Sequence, residues 1–246
     1  MINLRQMQEE LKREVVGQDK AITQITTAIF KFILRKYGEA LNINFPTAST
    51  ILMTGSTGMG KTHLVKAATS YFNIPFIEIN AKGISQEGWA GKSFPSLLEA
   101  GLHGPDKEAI VFIDEFDKIL VPNISSGSDD VNYHIQCSLL KYIEGLELSF
   151  RGSRVNTKDC LFIFAGAFVG LELEKNENAI GFTSGNKKKS SVEMTQALVN
   201  FGMIPEMAGR IQNICTLKDF TRADYKEVLN NEFFIYQLYK EILDVL

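Results

Sequence analysis

Apolar residues recur at Leu4, Met7, Leu11 and Val15, the spacing of one face of a short amphipathic helix. The segment Val15-Val16-Gly17-Gln18-Asp19 interrupts it, and a second helical pattern runs from about Lys20 to Tyr37, where Gly38 is expected to end it. The pattern then changes. Ser49 to Thr54 is a short apolar run closed by a glycine-rich turn, which predicts a buried strand, and a helix is expected from about Lys61 to Tyr71. Pro75–Ile79, Ala109–Ile113, Cys160–Phe164 and Ile211–Leu217 predict four further strands. Helical patterns separate them, notably Tyr133–Ile143 and Val192–Phe201. Short all-apolar strands alternating with helices imply an α/β fold, a parallel five-stranded sheet sandwiched by helices. Pro122–Asp130 and Glu174–Ser191 read as loops, and Thr221 to Asp224 has the spacing of a helix N-cap with an acidic third residue.

Composition narrows the class without naming a chemistry. A hydrophobic fraction of 45% in 246 residues is enough for a proper core in one large domain, or one domain and part of a second. The net charge of −3 gives no broad basic surface, so nucleic acid is not an expected partner. Cys137, Cys160 and Cys215 are scattered and odd in number, which fits reduced thiols better than a disulfide framework. With His63, His103 and His134 they show no zinc-ligand spacing. The charged N-terminus has no signal-peptide stretch, and no run approaches the roughly 18 apolar residues of a membrane span, so a soluble, cytoplasmic protein is expected.

The chemistry is concentrated in one octapeptide. Gly55-Ser56-Thr57-Gly58-Met59-Gly60-Lys61-Thr62 matches G-x-x-x-x-G-K-[ST], between a predicted strand and a predicted helix. Glycines let the backbone curl so that successive N–H groups meet phosphate oxygens, and the helix N-terminus adds a favourable dipole. Lys61 is expected to reach the outer phosphates and the Thr62 hydroxyl to hold Mg²⁺. Asp114 and Glu115 close the third strand, and ligands in parallel sheets bind beyond the strands' carboxyl ends. Asp114 is therefore expected at the Mg²⁺, through its water shell, and Glu115 at the attacking water. ATP and Mg²⁺ are the cofactors this reading requires. The alternative for the acid pair taken alone is a solvated strand-to-helix turn.

Phe112–Ile119 (FIDEFDKI), Phe162–Phe168 (FIFAGAF) and Phe201–Arg210 (FGMIPEMAGR) make the chain resemble the ClpX family of AAA+ unfoldases, which feed the ClpP peptidase; HslU is a related unfoldase. The likeness runs from about Val15 to the C-terminus. It implies a P-loop AAA+ large domain over residues 1–217, with only the beginning of the small helical lid domain in 218–246 and that lid's arginine motif lying past Leu246. It also implies an ATPase that moves polypeptide through a hexameric ring. Val16, Gly17 and Gln18 match the segment lining the adenine pocket, and the nucleotide-contacting stretch extends through His63. Arg210 matches the arginine finger that reaches a neighbouring subunit's nucleotide. Trp89 and Ala90, within Gly88–Gly91, fall where the family carries its pore loop, and Val131–Gln136 falls where a second pore loop would lie. Ile180, Gly181 and Phe182 match the I-G-F docking motif for the peptidase. The family's zinc module has no counterpart, and Leu146–Lys158 is shorter than its counterpart and lacks the family's basic loop. A competing reading follows from the short lid: a module that binds nucleotide or a full-length homologue without turnover.

Overall fold

The computed structural model describes residues 4–40, 50–84, 93–101, 108–124, 130–150, 153–171 and 191–230. Along the chain come α1 (Leu4–Glu14), α2 (Asp19–Ala40), β1 (Thr50–Thr54), α3 (Lys61–Phe72), β2 (Phe76–Asn80), α4 (Phe94–Gly101) and β3 (Ala109–Asp114). There follow α5 (Val131–Glu144), β4 (Glu147–Phe150), β5 (Ser153–Asn156), β6 (Cys160–Gly166), α6 (Ser191–Asn200), α7 (Pro205–Ala208), β7 (Ile211–Thr216) and α8 (Arg222–Asn230).

Five strands form one parallel sheet in the order β2-β3-β6-β1-β7. Successive residues of a strand face opposite sides, and the sequence uses both sides for burial. Leu52, Val111, Ile113, Phe162 and Phe164 pack with Phe94, Leu98, Ile135, Leu139, Leu198 and Met207, under α4 to α7. Ile51, Met53, Ile110, Phe112, Ile163 and Ala165 pack with Met7, Leu11, Ile22, Ile25, Ile29 and Leu64, under α1 to α3. Phe112, Phe116 and Phe164 are fully buried; truncating one to alanine costs about 3–5 kcal/mol in such a core.

The α/β reading and all five strands agree with this architecture to within two residues at each end. Three details differ. Gly38 does not stop α2, which runs on to Ala40: a glycine inside a helix costs only about 1 kcal/mol, and this one is buried. Leu146–Lys158, read only as a shortened segment, contains an antiparallel hairpin of β4 and β5. It is anchored by Thr157, whose hydroxyl donates to the Tyr142 carbonyl at 2.7 Å and accepts from Leu146 N–H at 2.8 Å. Val131–Gln136 is the opening of α5 and not a pore loop. Asp130 caps it through Asn132 and Tyr133 N–H, and Asn132 and Gln136 are buried in it. Gln136 donates to the carbonyls of Ile119 (3.1 Å) and Gly202 (3.3 Å) and accepts from Ile204 N–H at 2.9 Å. That segment is therefore a clamp on neighbouring turns.

The reciprocal cap at the start of α8 is present: Thr221 N–H donates to Asp224 at 2.7 Å and Asp224 N–H to the Thr221 hydroxyl at 3.3 Å. No described helix is long and apolar enough to cross a membrane.

Burial sorts the three thiols. Cys160 and Cys215 are buried and pushed up to about 12 by desolvation, whereas Cys137 is half-buried. Alkylation of the folded protein at pH 8 is expected to modify Cys137 first, with Cys160 and Cys215 reacting only on unfolding; mass spectrometry of labelled peptides over time checks the order.

Candidate functional site

All five parallel strands end on the same edge, and the candidate residues gather there. Thr54 pairs with Gly166 on one side and Thr216 on the other, while Asn80 pairs with Asp114. Beyond β1 the chain turns through Gly58 (φ 84°) and Gly60 (φ 88°), a left-handed backbone that glycine adopts without strain. Gly60 offers no side chain to cap α3. The leading N–H groups of that helix, which lack intrahelical acceptors, are thus left to a ligand.

These turns and strand ends enclose a cleft of about 360 Å³. Its wall comprises Thr57, Gly58, Gly60, Lys61, Thr62 and His63 from the glycine-rich turn and α3. Asp114, Glu115, Asp117 and Lys118 come from the end of β3 and the turn after it, with Gly166 and Ala167 from the end of β6. The octapeptide and the acid pair, 52 residues apart, therefore share one site. The Thr62 hydroxyl donates to Asp114 Oδ2 at 3.2 Å, and Asp114 Oδ1 accepts from Glu115 N–H at 2.8 Å.

Lys61 is largely buried, and its ammonium donates to the carbonyls of Gly55 (2.6 Å) and Ser56 (3.0 Å). Burial pushes its pKa down, against the pull of Asp114 and Asp117. Glu115 sits at φ 54°, in the left-handed region uncommon for a residue with a side chain. Lys82, two residues past the end of β2, lies 2.7 Å from its Oε2. This ion pair covers Oε2 from solvent. Lys82 first, with Asn80 and Lys118 adding to it, holds the Glu115 carboxyl below its ordinary range. Sequence alone did not single out Lys82 or Asn80: only pairing of β2 with β3 brings them beside Glu115.

The oxygen donors suit a hard cation. A hydroxyl and a carboxylate converge, and among the described residues no group of three or more His, Cys, Asp or Glu forms a closed metal cage. Mg²⁺ binds in that way, through one or two protein oxygens with phosphates and water supplying the rest.

The Val16-Gly17-Gln18 turn reaches this edge by a different route. Leu217 N–H donates to the Thr54 carbonyl at 2.8 Å, and Gln18 clips the next residue. Its amide donates to the Lys218 carbonyl (2.8 Å) and accepts from Lys218 N–H (3.0 Å). The Gln18 side-chain amide is thus committed to the Lys218 backbone, which fixes the turn. Val16 is buried, and a side chain on Gly17 would lie 3.0 Å from Asp224 of α8. On the other side His63 pairs with Glu14 at 3.4 Å.

Arg210 does not line the cleft. It precedes β7, whose first residue Ile211 is level with Thr50 at the start of β1. At about 3.3 Å per residue, a five-residue strand separates it from the phosphate edge by roughly 15–20 Å. Its guanidinium instead pairs with Glu144 at 2.6 Å, exposed. Trp89, Ala90, Ile180, Gly181 and Phe182 lie outside the described residues.

Comparison with known proteins points the same way. The profile of the AAA domain family (Cdc48 subfamily) matches residues 47–214. The chain is 32% identical over 240 residues to "ATP-dependent Clp protease ATP-binding subunit ClpX 2" of Wolinella succinogenes, covering 89% of this chain and 60% of that protein. It is 32% identical over 262 residues to the ClpX subunit of Borrelia duttonii (92% and 60%) and over 257 residues to that of Treponema denticola (92% and 62%). The chain thus spans about 60% of the length of these relatives.

Gln18→Ala leaves both Lys218 backbone groups without their partner. Unfolding in urea is expected to show a loss of roughly 1–3 kcal/mol, where a surface change such as Lys20→Ala stays within about 0.5 kcal/mol.

Proposed function

The chain belongs to the AAA domain family, and we propose that it is a ClpX-type ATPase that binds ATP with Mg²⁺ and hydrolyses it to move polypeptide substrates. The carrying observation is the bond from Thr62 to Asp114, which joins the phosphate-binding turn to the acid pair in one cleft. In this reading the backbone from Gly55 to Thr62 cradles the phosphates. Lys61 leaves the carbonyls of Gly55 and Ser56 for the outer phosphate oxygens. Thr62 and Asp114 hold Mg²⁺, which when bound neutralises phosphate charge. Glu115 accepts a proton from the water whose oxygen bonds to the terminal phosphorus, while that phosphorus's bond to the β–γ bridging oxygen breaks and ADP leaves with the electron pair on that oxygen, the terminal group departing as phosphate. For that, the Glu115 carboxylate parts from Lys82.

The position of Arg210, at the far edge of its own sheet, supports a role in a neighbouring subunit's site and therefore a ring, hexameric as in the resemblance drawn from sequence. Trp89 and Ala90 are proposed to grip the substrate in the pore, and Ile180-Gly181-Phe182 to dock a ClpP-like peptidase. Val16, Gly17 and Gln18, the last through its backbone, are proposed to line the adenine pocket. Residues 218–246 are proposed to begin the lid, and the cytoplasm is the proposed compartment.

Two variants test this together. Glu115→Gln is expected to bind ATP about as tightly as the parent while turnover falls roughly 10²–10⁴-fold. Arg210→Ala is expected to preserve nucleotide affinity and to lose the steep rise of specific activity with protein concentration that a trans-acting group produces. Full turnover in the Glu115 variant, or specific activity independent of concentration in the parent, overturns these roles.

A further inference from the structure

The cleft contains a second lysine that the proposed function leaves without a task. Lys118 lines it together with Lys61, from the turn Phe116–Ile119 that follows β3. A strand end beside a phosphate site is a natural place for a polar side chain, yet here β6 contributes only Gly166 and Ala167 to the wall. The space is used by Asp117. A side chain on Gly166 would place its Cβ 2.5 Å from Asp117 Oδ1, inside contact distance, so the bare strand end makes room for that carboxylate. Asp117 is 7% exposed, and its Oδ2 pairs with Lys118 Nζ at 3.0 Å. A carboxylate this buried requires a partner, and the pairing fixes where the lysine begins.

The turn that carries both residues is itself pinned. Asn132 donates to the carbonyls of Val121 (2.7 Å) and Lys118 (3.4 Å), and Gln136 to that of Ile119 (3.1 Å). Phe116 is buried against Phe164, ring centres 4.4 Å apart. The Lys118 side chain is half exposed and lines the cleft. A rigid turn, a buried carboxylate and a solvated ammonium are the arrangement by which a protein presents a cation to an anion that comes and goes.

Resting on the ATPase reading, we propose that Lys118 is a second phosphate-contacting cation, acting on the terminal phosphoryl group of the bound triphosphate, and that Asp117 is its positioning residue. Lys61 and Lys118 then flank the outer phosphate from the α3 side and the β3 side. Gly166 acts only by leaving Asp117 its place.

The test is discrimination between triphosphate and diphosphate, which a merely structural role does not move. Affinities for Mg²⁺ with ADP and with a non-hydrolysable ATP analogue are measured for the parent, Lys118→Met, Lys118→Arg, Asp117→Asn and Gly166→Ala. Loss of a charge-assisted contact predicts that Lys118→Met binds the analogue roughly 10- to 100-fold more weakly, with ADP affinity within about twofold of the parent. Lys118→Arg is expected to restore most of the difference. Asp117→Asn and Gly166→Ala are expected to lose part of it in the same direction. Thermal unfolding without nucleotide identifies any variant that fails to fold; the exposed Lys118 pair of variants then decides alone. An unchanged analogue-to-ADP ratio in Lys118→Met overturns the assignment and leaves the ATPase reading standing. A parent that binds neither nucleotide overturns both.

Discussion

A hydroxyl on the first turn of one helix and a carboxylate on the end of a strand two places away in the sheet meet at 3.2 Å, and everything chemical in this molecule is arranged about that contact. Thr62 and Asp114 belong to segments with no local reason to meet. They meet because β6 separates β1 from β3 by one strand's width, so that the turn after β1 leans over the end of β3. The sheet order therefore does more for the site than any single residue. Displacing β6, whose seven residues are all buried, would separate the phosphate-binding turn from its acids without altering either.

The same geometry assigns opposite tasks to residues that look alike in sequence. Lys61, Lys82 and Lys118 are three lysines at one edge of one sheet. The first is buried and satisfied by carbonyls of its own turn, the second covers the candidate base, and the third is held by a buried neighbour. Each is displaced or recruited by the arrival of a different charge. Glu115 and Arg210, the proposed base and the proposed trans-acting group, are both ion-paired within the chain, to Lys82 and Glu144. Hydrolysis then entails an exchange of partners, and exposed pairs of this kind are weak enough, about 0–1 kcal/mol, to exchange.

Much of this was legible before any coordinates. The five strands were readable because each is a short run rich in apolar residues, with β1, β3 and β6 buried on both faces, and the octapeptide because its glycines and lysine have one efficient use. What stayed hidden depends on contacts between distant segments. Nothing in the sequence shows that the Gln18 amide closes on the Lys218 backbone. Val131–Gln136 reads like a loop by family position, yet Asp130 caps a helix there. The hairpin at 147–156 escaped notice because four-residue strands of mixed polarity carry too little pattern. Asp117 and Lys118 read as ordinary charges after a strand. Their meaning comes from the missing side chain at Gly166, which is 49 positions away and visible only as a space.

The clasp between Gln18 and Lys218 joins positions 200 residues apart. During synthesis, the amino-terminal turn emerges long before its partner exists: at translation rates of 5–20 residues per second the wait is roughly 10–40 s. Throughout that interval the apolar stripe of α1 and α2 has no complete sheet to lie on, because β7 has yet to join β1. Pairing of these distant segments comes late, and long-range closure of this kind is the step at which misassembly competes with folding.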